Sequence, residues 1–296
     1  LLVLICVIGA ISLVALVLAA FSISQKGTTN FNVGTTSGTT GTTNEDKIWT
    51  FAIGHDGTNL EYIEDTTGTL RGFHVDIVNA VCTIANKNCR LVWDIYRNCW
   101  TSQAGERARG GLGMMSGWYD ACTGWFNTYD RALTVDFTTA FRKPLMGVFY
   151  VKNGNPDGFQ WTDLTGKQIG ILDGWAQDEH CLARKSDIIT GVPLETSQIV
   201  HYVTIEAGVA AVNNGDVAAL FANTNQDSRG LQVVSDELSC TKDGGCMMFR
   251  KDARIAAWWN PAFERLKETT YRDICARVDK DHGAQPGAGG DIICVD

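Results

Sequence analysis

Cysteine is the reactive side chain this sequence offers most insistently, with ten in 296 residues. Cys6 lies in an apolar N-terminal run; the other nine are Cys82, Cys89, Cys99, Cys122, Cys181, Cys240, Cys246, Cys275 and Cys294. Structural zinc sites bring their ligands in close pairs such as CxxC, and no such pair occurs, so the cysteines point to disulfides in an oxidising compartment rather than to metal. Nine is odd, which leaves one thiol free or bonded to another chain. Cys82 with Cys89 and Cys240 with Cys246 are candidates for local bridges, and the full connectivity stays open.

The remaining chemistry is sparse. His55, His74, His180, His201 and His282 are scattered without HExxH or any other ligand spacing, so they read as surface or hinge residues and no metal site is expected. There is no GxSxG elbow and no Walker loop, and the glycine-rich stretch GERARGGLGMM does not stand between a strand and a helix. No catalytic residue and no cofactor is therefore expected. A formal net charge of -8 provides no basic field for phosphate backbones, which removes nucleic acid as a partner.

The elements that would position any site begin at Ile48. With 45% hydrophobic residues the chain can bury a substantial core. IWTFAIG reads as a strand and HVDIVNAVCTIA as a helix, with apolar positions at Val75, Ile77, Val78, Val81 and Ile84. KQIGILDG then reads as a strand, QDEHCLARK and IEAGVAAVNNG as helices, and DVAALFAN as a strand. This is α/β alternation with parallel strands. Between Ala253 and Val278 the helical spacing is interrupted at Asn260-Pro261, where a second helix is expected to start.

Upstream, Leu1 to Ile23 carries no charge and is long enough to cross a bilayer core, so residues 1–23 are expected to be a signal peptide or a membrane anchor. Residues 24–46, rich in Thr, Gly and Ser, read as a flexible linker. No apolar run of membrane length follows, which excludes a channel pore.

Four stretches in order make the chain specific: GTLRGFHVDIVNAVCTIA, SGWYDACTGWFNTYDRALTVDFTTAF, DLTGKQIGILDGW and VNNGDVAALFAN. Together they resemble the family 3 extracellular solute-binding proteins, whose two-lobed, hinged α/β fold (the type 2 periplasmic-binding-protein fold) is shared by ionotropic glutamate receptor ligand-binding domains. The sharpest piece is Gly117-x-x-Asp120, followed by Thr128-x-x-Arg131 and Val135-Asp136-Phe137. The resemblance runs from about Lys47 to Lys280. It implies a solute-binding domain over residues 47–296, with lobe 1 at about 47–142 and 247–296, lobe 2 at about 143–246, and PLMGVFYVKN and GCMMFRKD as the crossings.

It also implies a ligand between the lobes. Arg131 stands where the family holds the ligand carboxylate, a task suited to its planar two-pronged fork. Phe126 and Asn127 match the stretch that offers groups to the ligand, although the loop is one residue shorter here. Asp56 matches an acidic position at the cleft rim. Trp175, Ala176 and Gln177 open a helix whose amides would attract a carboxylate, with Trp175 as a wall or a plug. Asn223 stands where amino-acid binders present Asp or Glu to the α-ammonium, so one charge pairing is lost.

The expected function is extracellular binding of a small carboxylate, an amino acid or analogue, in a secreted or membrane-anchored protein that would be periplasmic in a bacterium. A membrane receptor or transporter would receive the bound form. The alternatives are a structural or adhesive ectodomain with a closed cleft, and a dehydratase-like enzyme using Asp56 or Glu61 for proton transfer.

Overall fold

The apolar runs assemble into two mixed sheets in the computed structural model, which describes residues 47–55, 58–102, 107–224, 229–284 and 289–296. In the first sheet the strands lie in the order Asn88–Trp93, Ile48–Ile53, Ala121–Phe126, Gly245–Phe249 and Asp136–Phe137. The first three are parallel; Gly245–Phe249 runs antiparallel to both of its neighbours. The second sheet orders Ile199–Tyr202, Ile169–Leu172, Ala219–Asn223, Met146–Val151 and Gln232–Val233, and Leu238–Ser239 also pairs with Met146–Val151. Its first three strands are parallel. Each sheet with its helices makes one lobe of the two-lobed α/β fold.

Both faces of each sheet are covered, which is why the central strands read as continuous apolar runs instead of alternating ones. On one face of the first sheet, helices Phe73–Ile84, Ala256–Lys267 and Tyr271–His282 bury Phe73, Ile77, Trp259, Phe263 and Tyr271 against Phe51. The opposite face packs Ala52, Cys122 and Met248 beneath Trp100, Met114 and Trp125. Helix Phe73–Ile84 enters at Gly72, where φ is 123° and a Cβ would stand 2.3 Å from the Leu60 carbonyl oxygen.

The chain crosses between the sheets twice, and the crossings are zipped together. Arg142 N donates to Gly245 O at 3.3 Å, and Gly245 N to Arg142 O at 3.1 Å. Gly244 is required beside them, because a Cβ there would lie 1.7 Å from the Arg142 carbonyl oxygen.

Four disulfides join Cys82 to Cys89, Cys99 to Cys122, Cys181 to Cys240 and Cys275 to Cys294. The first was expected. The candidate pairing of Cys240 with Cys246 is not formed: Cys240 faces the core of the second lobe with Cys181, whereas Cys246 belongs to a strand of the first sheet. Cys246 is the odd thiol, free and buried, and burial pushes its pKa well up, so it is an inert core group.

Two expectations about helices are corrected. The final helical stretch does divide in two, but the break falls between Lys267 and Tyr271, and Pro261 sits inside the first helix. Pro261 is exposed, so the backbone hydrogen bond it cannot make is lost on the solvent side. The helix expected from Gln177 to Lys185 is confined to Glu179–Ala183. The apolar segment 1–23 and the linker 24–46 lie outside the described residues. No helix among the described residues is long and apolar enough to cross a membrane.

Candidate functional site

Strand Ala121–Phe126 is buried along its whole length and runs into the cleft, where Thr128 caps helix Tyr129–Thr134 by accepting from Arg131 N. That cap aims Arg131 inward, and the residue is 3% exposed. Its Nη1 donates to the Phe126 carbonyl at 2.9 Å, and its Nη2 crosses to the other lobe and donates to the Gly174 carbonyl at 2.7 Å. The guanidinium lies 4.7 Å from the centre of the Trp125 ring. A buried cation bracketed by carbonyl dipoles and an aromatic face is well disposed to receive an anion.

Phe126, also buried, turns its ring toward the Arg142 guanidinium at 5.3 Å. Asn127 is half-buried, its carbonyl accepts from Lys242 N at 2.7 Å, and its Oδ1 is buried with no hydrogen bond among the described residues. Asp56 lies outside the described residues, yet the turn that leads to it is anchored from below. Glu61 Oε2 accepts from Gly54 N and His55 N, both at 2.6 Å, while Oε1 meets His74 Nδ1 at 2.6 Å and Thr123 Oγ1 at 2.8 Å. Burial alone would raise the Glu61 carboxyl; the His74 hydrogen bond, the neighbouring His74 and His55 and the Thr123 hydroxyl outweigh it and hold the group well below the usual carboxylate range. Glu61 is therefore an anchor beneath the cleft rim, and both its oxygens are committed there.

In the second lobe the segment after strand Ile169–Leu172 supplies Gly174 through Asp178. Trp175 is half-buried against its own lobe, beside Val148, Tyr150 and Leu172. It also lines a water-sized interlobe cavity of about 20 Å³ with Ser102, Ala108, Asp178, Glu179 and His201. Ala176 is buried. The expectation that Trp175, Ala176 and Gln177 open a helix is corrected: the helix starts later, at Glu179, and Asp178 caps it by accepting from Cys181 N at 2.8 Å. Burial pushes the Asp178 carboxyl up to about 6.

Gln177 is 1% exposed; its Nε2 donates to the Leu145 carbonyl at 3.1 Å, and its Oε1 is buried with no hydrogen bond among the described residues. Asn223 ends its strand opposite Gly147, a position Gln177 closely approaches, and its own carbonyl accepts from Tyr150 Oη at 2.7 Å. Gln177 and Asn223 thus share one wall of the second lobe near the crossings, while Arg131, Phe126 and Asn127 share one wall of the first.

The histidines are not surface groups throughout. His74 is fully buried on Glu61, and His201 Nδ1 lies 2.7 Å from Asp173 Oδ1 with Nε2 3.5 Å from Glu179 Oε2. The ion pair with Glu179, and then the bond to Asp173, hold His201 at about 9 against the effect of burial. Among the described residues no group of three or more His, Cys, Asp or Glu is arranged to hold a metal ion. The residues missed by reading the sequence are Tyr96 and Ser102, both in contact with Gly174; no local pattern flags them, because their partner lies some seventy residues away.

Residues 50–277 match the bacterial extracellular solute-binding proteins, family 3. Among solved structures, the chain is similar to a periplasmic His/Glu/Gln/Arg/opine family-binding protein from Silicibacter pomeroyi in complex with lysine. The identity is 19% and the TM-score 0.54, over 81% of this chain and 99% of that one. The arginine-, lysine-, histidine-binding protein ArtJ from Geobacillus stearothermophilus is 20% identical with a TM-score of 0.54, over 81% and 97%. A histidine kinase sensor domain with similarity to periplasmic binding proteins is 14% identical with a TM-score of 0.58, over 79% and 97%. At these identities the likeness is one of fold. No curated protein matches the chain.

Proposed function

Since the chain belongs to the bacterial extracellular solute-binding proteins, family 3, we propose that it captures an amino acid or a close analogue between its lobes, with Arg131 holding the ligand carboxylate. The observation that carries this reading is Arg131 itself, a buried cation whose Nη2 points across the cleft. The ammonium end would meet neutral acceptors: Gln177 Oε1 and Asn127 Oδ1 are buried acceptors with no hydrogen bond among the described residues, and Asn223 lies on the Gln177 wall. Neutral acceptors bind an ammonium less strongly than a carboxylate does, so this site favours ligands whose amine is not the main source of affinity. The Silicibacter protein, solved in complex with lysine, and the arginine-, lysine-, histidine-binding protein of Geobacillus support an amino-acid ligand. The four disulfides suit an oxidising compartment, and residues 1–23 would lead or tether the domain there, where a transporter or receptor receives the closed form.

The test is thermal unfolding of the disulfide-intact protein against amino acids and simple carboxylates, with every hit repeated on Arg131→Ala. A rise in melting temperature that vanishes in the variant supports the reading; a rise that survives there removes Arg131 from the site. The second reading, a cleft closed for structural purposes, is favoured by the Arg131–Gly174 bond, and it gains if no ligand produces a shift.

A further inference from the structure

Gly174 is gripped from the first lobe on three sides. Its N–H donates to Ser102 Oγ at 2.7 Å, and its carbonyl accepts from Arg131 Nη2 at 2.7 Å. The ring of Tyr96 covers its Cα so closely that a Cβ would stand 2.8 Å from a ring carbon. Its φ of 80° is one that glycine adopts without strain, so both the conformation and the contact demand this residue. The grip is also rigidly mounted: Cys99, between Tyr96 and Ser102, is bonded to Cys122 in the strand that leads to Arg131.

We infer that the Gly174 peptide is a built-in competitor for Arg131, an internal latch that a ligand carboxylate must displace, with Ser102 and Tyr96 as the positioning residues that hold it in place. This rests on the assignment of Arg131 to the carboxylate. The chemistry is one of like acceptors, since a peptide carbonyl oxygen occupies the arm of the guanidinium fork that a carboxylate oxygen would take. The carboxylate wins because it is charged and can engage the fork more strongly. Arg184, paired with Asp130 and lying 5.0 Å from the Tyr129 ring, ties the lobes further along the same edge. Such exposed pairs add little, whereas the Gly174 contacts are partly buried.

The experiment compares wild type, Gly174→Ala and Ser102→Ala by small-angle X-ray scattering without added amino acid, and titrates each with L-lysine and L-arginine by calorimetry. Gly174→Ala should enlarge the radius of gyration by forcing Tyr96 and the second lobe apart. Ser102→Ala, a mild change that leaves the fold intact, should enlarge it less and should bind the amino acid about fivefold more tightly, the loss of roughly one hydrogen bond from the competing latch. Wild type as open as Gly174→Ala, or Ser102→Ala with unchanged or weaker affinity, overturns the latch. If neither amino acid binds any form, scattering alone decides the latch, and it is the ligand assignment that has failed.

Discussion

At the scale of single residues, the cleft depends on charges that have been taken out of water and paired. Glu61 is the plainest case, holding two backbone amides, a hydroxyl and a histidine while 1% exposed. Replacing it by Gln leaves His74 and the Gly54–His55 amides short of acceptor strength, and should cost about 2 to 4 kcal/mol in chemical denaturation. Because its folded pKa is lowered, its contribution is present above the ordinary value of 4.5 and drains away as acid protonates it. The Gln variant should therefore show a shallower loss of stability on acidification. His201 acts with the opposite sign. Its pKa is raised from 6.5 to about 9, so its contribution is whole below pH 6.5 and is lost as pH climbs through about 9. Melting temperatures measured across that window should fall for wild type and fall less for His201→Gln.

At the scale of elements, the arrangement turns on which segments are stapled to the first sheet. The Cys99–Cys122 bridge closes a loop with a sequence separation of 23, and removing it by a Ser pair should lower stability by about 3 kcal/mol. The same change should loosen the segment from Tyr96 to Ser102, which hydrogen exchange of the Gly174 amide would report as faster exchange. The helices show how far pattern reading reaches. Helix Phe73–Ile84 was legible because its apolar positions repeat at helical spacing, and of these Val75, Ile77, Val78 and Val81 are buried while Ile84 is half-buried. Pro261 misled because its cost depends on which side of the helix it faces, and that is a tertiary fact. The helix after Gly174 starts late because Asp178, rather than the glycine turn, supplies the cap.

At the scale of the whole molecule, binding and closure are one equilibrium. A ligand present at 100 times its dissociation constant should stabilise the protein by about 2.7 kcal/mol, seen as a concentration-dependent melting temperature. The part of the gross affinity that first releases Gly174 from Arg131 does not appear in that figure. The two-lobed fold was legible only through the resemblance that four motifs in order carry; local periodicity gave the α/β alternation and not the division into lobes.

The sequence by itself carried the α/β class, the oxidised cysteines and the resemblance to the family, which singled out Arg131 through Thr128-x-x-Arg131; Cys82–Cys89 was one of two candidate bridges, and the structure forms it. These readings rest on composition and on motifs each short enough to be read along the chain, where spacing and geometry are nearly the same thing. Only the tertiary structure decided that Cys181 meets Cys240 and that Cys246 stays alone. It alone placed Glu61 beneath the rim and brought Ser102 and Tyr96 onto Gly174. Those contacts join residues far apart in sequence, and their energy comes from burial and through-space geometry that no local pattern records.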